Sequence, residues 1–577
     1  MRSFFGLMNR FRNDRRANVA VIFAIACVPL ISAIGCAIDY SEATRIKAKM
    51  QSAADAAAVA AISQNSAGWL ASTAQTSNGP VTVAQTDAVN VFNGNVTAQS
   101  SLYNSLVVTA TVMKTGPTLA STVSFSANVP VTFMKVVGWS KLTVTGSSSA
   151  TSSLPLYLDF YVMLDVSGSM GLPSTNAEQT RLTLVNPDDF DVYPNGCTFA
   201  CHFQSSSSCT NPPIGQQVIP NPTSSSPVYQ AYPTSNLGPT TTGPSGTSKG
   251  GYCLGYLISR VSQAGYLSLI NSAVTAQSKT QYPMKNGQQL PPAMVAAGVT
   301  SSLTGPNALL TGNTLSQSNS LTAVTACPTA GTDACIQLRA DAVGTAMNAT
   351  VQTQGVDGLF ATANNPQNQQ VTGQFRIGLY PFIQNLITYF PLTSTIGPSS
   401  AIQTAATNLA TLLDTGNTPN ISLGSGGTHF ENAFPQMSAI IPPLGGGAVG
   451  DGSSSTDTKP FVFLVTDGSQ NAQTCCGFTG NNGATVMASG TLSPCQALKN
   501  RGITVAVLYI PYEPIQNPTT IFNNEDNVAN ANIPNIPPSL TSCASPNFFF
   551  TATTPSDIAK ALSAMFNQSL ATAHITN

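Results

Sequence analysis

The pattern of apolar and polar positions divides the chain into stretches of different character. Residues 17–38 form an uncharged run of 22 residues, and about 20 apolar residues are enough for a helix to span a bilayer. An alanine-rich pattern without Gly or Pro predicts that this helix continues as a stalk over residues 39–65. Residues 66–155 are rich in β-branched side chains and alternate partly, which predicts a small β-rich module. Residues 156–577 alternate apolar runs with helical patterns, which predicts an α/β domain with a mainly parallel sheet flanked by helices.

Several segments of this α/β region are specific enough to be assigned as strands or helices. The predicted strands lie at residues 158–164, 376–382, 461–465, 502–510 and 548–550. The predicted helices lie at residues 333–347, 399–413 and 555–566. Two of the strands run directly into polar turns that carry carboxylates. The candidate functional residues therefore lie at the ends of these strands.

The first of these turns offers three oxygen donors within five residues. Asp165, Ser167 and Ser169 fall at alternate positions of one loop after the strand at 158–164. A carboxylate and two hydroxyls suit a hard divalent cation such as Mg²⁺. Gly168 permits the sharp turn that aims both hydroxyls at one point. The same residues would also fit an ordinary polar turn between a strand and a helix, and a metal site needs further ligands.

Two later segments supply the missing oxygens. The glycine-rich turn Gly426-Gly427-Thr428 carries a hydroxyl, and the strand at 461–465 continues into Thr466-Asp467-Gly468. Two strands that end in Asp, with a Thr loop between them, are the layout of a metal-ion-dependent adhesion site (MIDAS), and the region resembles the von Willebrand factor type A (vWA) domain. The resemblance implies a Rossmann-like fold with Mg²⁺, or Mn²⁺ or Ca²⁺, at this site. The ligands that it implies are Asp165, Ser167, Ser169, Thr428 and Asp467.

One stretch departs from the vWA pattern. In vWA domains a helix follows the Asp-x-Ser-x-Ser loop closely, whereas here residues from about 171 to 332 intervene before the next predicted helix. The stretch is rich in Ser, Thr, Pro and Gly and contains several cysteines. Because structureless loops of this length are uncommon inside compact domains, we interpret it as an inserted subdomain beside the predicted metal site.

The flanks of the apolar run predict its orientation. Residues 1–16 carry five arginines against one acidic residue, whereas two acids and then three cations follow the run. Because positive charge favours the cytoplasmic side, we predict a single-pass inner-membrane protein with a cytoplasmic N-terminus and a periplasmic or other extracytoplasmic C-terminal domain. A cleaved signal peptide is the alternative, although the run exceeds a usual apolar region of about 7–15 residues and no clean Ala-x-Ala site follows it.

The N-terminal region also resembles TadE/TadG-like Flp pilus-assembly proteins. The matching residues are Arg15-Arg16-Ala17-Asn18, Asp39-Tyr40 and the alanine-rich helix Gln51–Ala60. The resemblance implies a role in assembling or anchoring the Flp (tight adherence) pilus, with pilus-assembly components or surface ligands as protein partners. The segment Val129–Met134 resembles one placed similarly in these proteins and suggests no chemistry by itself.

Composition narrows the classes of partner and compartment. Charged residues make up 8% of the chain and the formal net charge is −1, so there is no electrostatic case for nucleic-acid binding. Of twelve cysteines, ten lie outside the apolar run, which favours disulfides in an oxidising compartment without revealing their pairing. Cys197, Cys201, His202 and Cys209 are spaced as a zinc site would also be, but an oxidising exterior favours a disulfide there. The vicinal pair Cys475-Cys476 favours two separate partners.

An enzymatic activity is not expected. The chain has three histidines and no H-E-x-x-H, G-x-S-x-G or P-loop pattern. His429 adjoins Thr428 but has no identifiable nucleophile partner. The leading hypothesis is a membrane-anchored Flp/Tad pilus assembly or anchoring protein whose vWA domain binds protein partners through a divalent cation. The alternatives are a vWA adhesin or matrix-binding protein unrelated to pili, and a vWA scaffold of a transport or chelatase-type assembly.

Overall fold

The chain folds into two compact units. The computed structural model describes residues 17–185, 216–219, 228–231, 241–242, 248–249, 259–260, 262, 324–414, 422–424, 427–443, 449–471, 484–512, 514 and 523–575. The first unit comprises Met1–Leu156 with Gly452–Asp457, and the second comprises Tyr157–Asp451 with Thr458–Asn577. Most of the predicted insertion, the turn residue Gly426 and the pair Cys475-Cys476 lie outside the described residues.

The first unit combines helices with an antiparallel sheet. Its helices are α1 (Ala17–Ala60), α2 (Ala67–Ala74) and α3 (Thr82–Val96), and short 3-10 turns lie at Thr97–Leu102 and Met134–Val137. Its strands are β1 (Gly79–Pro80), β2 (Asn104–Thr115), β3 (Thr118–Pro130) and β4 (Lys141–Ser153), which pair in the order β1-β2-β3-β4.

Helix α1 has two halves with different surroundings. Its N-terminal half exposes large apolar side chains such as Ile25 and Ile31, and α1 is long and apolar enough to cross a membrane. Its C-terminal half buries small residues, including Ala54, Ala57 and Ala58, and packs against β4 and α3. The alanines of the Gln51–Ala60 segment therefore form the surface on which the sheet lies.

The sheet of the first unit was predicted, but helices α2 and α3 were not. Helix α3 contains many β-branched residues, and this composition contributed to the prediction of a β-rich module over residues 66–155. Its buried positions, however, recur every fourth residue at Ala84, Ala88, Phe92 and Val96, which is the spacing of one helical face. Packing of this face against the sheet favours a helix over a strand here. The Phe92 ring lies 5.6 Å from that of Phe125 on β3.

The second unit contains a six-stranded sheet and most of the remaining helices. Its strands are β5 (Leu158–Asp165), β6 (Gln216–Ile219), β7 (Val228–Ala231), β8 (Thr241–Thr242), β9 (Ser248–Lys249), β10 (Phe375–Phe382), β11 (Phe390–Thr393), β12 (Lys459–Thr466), β13 (Ser469–Asn471), β14 (Ala484–Val486), β15 (Thr504–Tyr509) and β16 (Phe549–Thr551). Its helices are α4 (Asn176–Val185), α5 (Arg339–Met347), α6 (Val351–Gln354), α7 (Leu359–Ala363), α8 (Ala401–Thr407), α9 (Phe430–Ile440), α10 (Gln496–Asn500), α11 (Asn523–Asn532), α12 (Ile536–Cys543) and α13 (Pro555–Ile575). Short 3-10 turns lie at Gly168–Gly171, Leu409–Leu412, Gly490–Leu492 and Ile533–Asn535.

The main sheet has the strand order β11-β10-β5-β12-β15-β16. Five strands are parallel, and β11 pairs antiparallel at one edge. The chain enters at β5, adds β10 on one side and then adds β12 on the other, so the strand order reverses beside β5. The predicted fold class, an α/β domain with a mainly parallel sheet and an N-terminal apolar helix, is confirmed. In such sheets the carboxyl ends of the strands at the reversal form a crevice.

Both faces of the sheet are covered, which explains the apolar run of residues 160–164 in β5. On one face the Phe160 ring lies 4.8 Å from the ring of Phe566 on α13. On the other face Tyr161 and Tyr380 belong to a core that includes Phe430 of α9. Every residue of β5 is buried, so the strand that carries the first candidate ligand is held from both sides.

Three assignments in the second unit differ from the sequence prediction. The helix predicted from residue 333 begins at Arg339, after the disulfide Cys327–Cys335. The helix predicted over 399–413 ends at Thr407 and gives way to a 3-10 turn. Residues 172–182, placed in the insertion, lie in the domain: Pro173 bridges Leu338.

The described cysteines that lie outside the apolar run of α1 form two disulfides. These are Cys327–Cys335 and Cys495–Cys543, which supports the prediction that the region is oxidised. Cys27 and Cys36 of α1 are free thiols. The predicted disulfide among Cys197, Cys201 and Cys209 lies outside the described residues.

Candidate functional site

The two candidate carboxylates end neighbouring parallel strands. Strand β5 ends at Asp165, and β12 ends at Thr466, directly before Asp467. The strands are in register, with Val465 beside Leu164. Parallel neighbours end at the same edge of a sheet, so both carboxylates lie at the crevice where the strand order reverses. The sequence predicted this placement.

Three hydroxyls of the candidate site form a continuous hydrogen-bonded group. Thr428 Oγ1 donates to Ser167 Oγ at 2.8 Å, and the hydroxyls of Ser167 and Ser169 lie 3.2 Å apart. The Ser167 N–H donates to Asp165 Oδ1 at 2.9 Å, which closes the loop after β5. The predicted donors from the first loop and from the glycine-rich turn therefore meet, although they are 261 residues apart in the chain.

Both carboxylates are buried and influence each other. Asp165 is 1% exposed and Asp467 is fully buried. Burial, followed by the charge of Asp467, raises the pKa of Asp165 to about 7 against hydrogen bonds from Ser167 and Thr466, which lower it. Burial also raises the pKa of Asp467 above its ordinary value, although Arg339 and Ser169 lower it. Two acids placed so close disfavour double ionisation unless a positive charge joins them.

The positive charge nearest to Asp467 is one that sequence reasoning missed. Arg339 Nη1, at the start of α5, lies 3.2 Å from Asp467 Oδ2. Its other nitrogen donates to the Pro511 carbonyl, and its guanidinium lies 5.5 Å from the centre of the Tyr512 ring. Arg339 is buried. The signal available in the sequence was a lone arginine within the helix predicted over residues 333–347, which does not indicate which carboxylate it meets.

Two further polar residues complete the surroundings and were also missed. Thr466 Oγ1 donates to Asp165 Oδ2 at 2.6 Å, and its position as the last, polar residue of an apolar strand was a usable signal. The fully buried Asp414 accepts a hydrogen bond at 3.4 Å from the Gly427 N–H beside Thr428, and its own N–H donates to the Val166 carbonyl. No pattern in the sequence pointed to Asp414.

The residues present suit a hard cation. The donors are carboxylate and hydroxyl oxygens, and such oxygens are the ligands that Mg²⁺ and Mn²⁺ prefer. Asp467 Oδ1 is buried and has no hydrogen-bond partner within the part of the chain that the structure describes, so a ligating oxygen remains there. The same part of the chain contains no group of three or more His, Cys, Asp or Glu side chains placed to hold a metal. A cation here would therefore depend on the hydroxyls as well as on the two acids.

A family model matches the N-terminal region. Residues 17–74 match the family described as "Putative Flp pilus-assembly TadE/G-like". The match covers α1 and α2, including the apolar run and the alanine face. It supports a pilus-related role for the chain. No curated protein sequence matches.

Several solved structures are similar to the chain at low identity. The open conformation of the pilus adhesin SpaC from Lactobacillus rhamnosus GG has a TM-score of 0.24 and 16% identity, and covers 41% of this chain, which spans 28% of that one. The vWF domain of the type V pili tip protein Mfa5 from Porphyromonas gingivalis has a TM-score of 0.22 and 14% identity. The match covers 41% of this chain and 89% of that domain's chain. A point mutant of the PilB minor pilin from Streptococcus sanguinis has a TM-score of 0.28 and 7% identity. The match covers 82% of this chain and 80% of that pilin. At TM-scores this low, the likenesses carry no argument about function.

Proposed function

We propose that the chain is a membrane-anchored component of Flp/Tad pilus assembly or anchoring, whose vWA-type domain binds a protein partner through a divalent cation. The observation that carries the proposal is the convergence of five predicted ligands, Asp165, Ser167, Ser169, Thr428 and Asp467, at one crevice of the sheet. These residues come from three separate loops, and a structural turn would not require all of them to meet.

The five proposed ligands have two roles, because two of them are charged and three are neutral. Asp165 and Asp467 supply the negative charge, and their mutual repulsion is relieved by a bound cation. Ser167, Ser169 and Thr428 supply neutral oxygens in a fixed arrangement. A bound Mg²⁺ or Mn²⁺ would supply an electrophilic coordination position that a carboxylate of the partner completes.

Membrane anchorage and the pilus role rest on the N-terminal region. Helix α1 is long and apolar enough to span a bilayer, and residues 17–74 match the pilus-assembly family model. We place the N-terminus in the cytoplasm and the remainder outside the inner membrane, because arginines are concentrated before the apolar run. The partner is then a pilus-assembly component or a surface ligand.

Divalent-ion binding by purified protein tests the site. Mn²⁺ titrated into the full chain, followed by calorimetry, should give one saturable binding event that Mg²⁺ competes with. Asp165→Ala and Thr428→Val should abolish or strongly weaken it, because each removes one donor from the cluster.

Asp357→Asn is the matched control, since this acid binds the Val351 N–H away from the cluster. Equal Mn²⁺ binding by the control and by Asp165→Ala would refute the site. Pull-down of pilus components by the wild type, lost in Asp165→Ala, would separate the pilus role from that of an unrelated adhesin.

A further inference from the structure

The loop between β3 and β4 exposes a group of large apolar side chains. Four large apolar side chains are exposed there: Phe133 (41%), Val136 (74%), Val137 (53%) and Trp139 (57%). Residues 132–140, called the apolar loop below, contain one cation, Lys135, and no acidic residue, and Lys141 follows. Exposed apolar residues that are contiguous in this way mark an interaction surface.

The apolar loop is fixed to α1 by a buried carboxylate. Asp39 accepts hydrogen bonds from three successive backbone N–H groups, those of Thr132, Phe133 and Met134, at 3.0, 2.8 and 2.7 Å. Burial raises the pKa of Asp39, but these three N–H groups outweigh burial and hold the pKa below its ordinary value. The carboxylate is therefore ionised at neutral pH, and it holds the loop at the residue where the uncharged run of α1 ends.

Packing places the loop beside the last turn of that run. A Cβ atom built on Gly35 would lie 2.4 Å from Phe133 Cβ, so only glycine allows this approach. Gly35 precedes Asp39 by four residues, about 6 Å along the helix axis at ~1.5 Å per residue. Phe133 therefore lies at the level of the uncharged segment, and the apolar surface of α1, exposed at Ile34 and Ile38, continues onto the loop.

We propose that the apolar loop inserts into the interfacial region of the bilayer beside α1, as a second membrane contact of the first unit. The proposal rests on the membrane anchorage of α1 proposed above. A bilayer fits this surface because the surface is continuous with the membrane-spanning part of α1. Trp139 and the exposed Tyr40 are of the type that collects at membrane interfaces. Lys135 and Lys141 provide cations for anionic headgroups. Two contacts would hold the first unit in one orientation on the membrane, which a single helix does not do.

The two tryptophans of the chain allow a direct test. Trp139 is exposed, whereas Trp69 is 1% exposed inside the first unit. The full chain is reconstituted into phosphatidylcholine–phosphatidylglycerol vesicles, with or without bromine atoms on the acyl chains, which quench nearby indole rings. The signal of Trp139 is the difference between the wild type and Trp139→Phe. We expect brominated lipid to quench this difference and to leave the fluorescence of Trp139→Phe nearly unchanged.

A charge substitution in the loop, with a matched control, shows whether the loop causes the effect. Val136→Asp combined with Val137→Asp should abolish the quenching of Trp139, because buried carboxylates oppose insertion. Val107→Asp is the control, since Val107 is also exposed (61%) but lies on β2; it should leave quenching at the wild-type level.

Flotation of the vesicles after an alkaline carbonate wash separates failure of the loop proposal from failure of the anchor. Protein that floats and whose Trp139 is quenched supports the proposal. Protein that floats while Trp139 is unquenched overturns the loop contact and leaves the anchor. A blue-shifted but unquenched Trp139 would also overturn it and would assign the surface to a second copy of the chain. Protein that does not float overturns the anchorage and the loop contact together.

Discussion

At the scale of single residues, the candidate site is defined by how its charges are balanced. Asp165 and Asp467 are buried side by side, and the described cation that meets them is the Arg339 guanidinium on Asp467. Asp165 receives hydrogen bonds from Ser167 and Thr466 rather than a full positive charge. The pair is therefore under-neutralised, and its ionisation should depend on pH and on divalent ions.

The first prediction concerns pH. The pKa of Asp165 is raised from 3.8 to about 7 in the folded protein, so the folded state binds more protons than the unfolded state between these values. The stability of the metal-free protein should consequently fall as pH rises through that window. Metal binding requires ionised carboxylates, so stabilisation by Mg²⁺ should grow over the same window.

Melting temperatures measured from pH ~5 to ~8, in EDTA and in Mg²⁺, test this dependence. Asp165→Asn should weaken both slopes and leave the contribution of Asp467, whose pKa burial also raises. A metal-free melting temperature that rises with pH in the wild type, relative to Asp165→Asn, would contradict the raised pKa.

The second prediction concerns Arg339. Arg339→Met removes the positive partner of a buried carboxylate, and breaking a buried ion pair on one side costs about 3–5 kcal/mol. Because a divalent cation at the site would replace part of the lost charge, Mg²⁺ should stabilise Arg339→Met more than it stabilises the wild type. Chemical denaturation with and without Mg²⁺ measures both effects. Arg376→Met is the control: its guanidinium pairs with Asp159 at 2.6 Å, outside the cluster, so its loss should not change the Mg²⁺ increment.

At the scale of elements, helix α1 shows how one continuous helix serves two environments. Its first half exposes large apolar residues and its second half buries alanines against β4 and α3. The approach of the sheet is close, because a Cβ atom on Gly146 of β4 would lie 2.4 Å from Gln51 Oε1. This packing requires small residues on both surfaces, with Gly146 on the strand and the buried alanines on the helix.

The third prediction follows from that packing. Ala57→Leu introduces three carbon atoms at a fully buried position of α1, and overpacking of this kind costs about 1–3 kcal/mol. Ala56→Leu, on the adjacent and exposed position, should change stability by less than about 0.5 kcal/mol. Thermal unfolding of the detergent-solubilised chain compares the two variants in a Trp139→Phe background, in which tryptophan fluorescence reports the buried Trp69. Equal losses would mean that the alanine face does not bear on the stability of the first unit.

At the scale of the whole molecule, the apolar helix α1 and the candidate site belong to separate units of one chain. The N-terminal region matches a pilus-assembly family, and disulfides Cys327–Cys335 and Cys495–Cys543 belong to the second unit. Disulfides persist in oxidising compartments. These observations are compatible with the extracytoplasmic location that we propose for the second unit.

The fourth prediction concerns topology. Protease added to the periplasmic side of spheroplasts should digest the chain beyond about residue 40 and spare a short N-terminal fragment, because arginine-rich flanks stay in the cytoplasm. The same treatment of intact cells, whose outer membrane excludes the protease, is the control. A soluble mature protein that begins after Cys36 would instead show that the apolar run is a cleaved signal.

The order of elements and the candidate ligands were accessible from the sequence because both depend on local patterns. The buried strands read as apolar runs, and Asp165 and Asp467 directly follow two of them. Parallel strands place their carboxyl ends at one edge, so the convergence of the ligands could be predicted without coordinates. The uncharged run and the alanine-rich stretch of α1 could also be recognised from the sequence, because each is a property of local composition.

The tertiary structure alone decided the partners of the charged groups and the identity of the elements without a strong local signal. The segment of α3 is helical because one face of the helix is buried, although its β-branched composition favours strands. Arg339 meets Asp467 across 128 residues, and Asp39 meets the apolar loop across 93 to 95 residues. Such pairings depend on how distant elements pack, and a single side chain carries no periodicity that reveals its partner. The sequence determined which oxygens could bind a cation, whereas packing determined the charges that surround them.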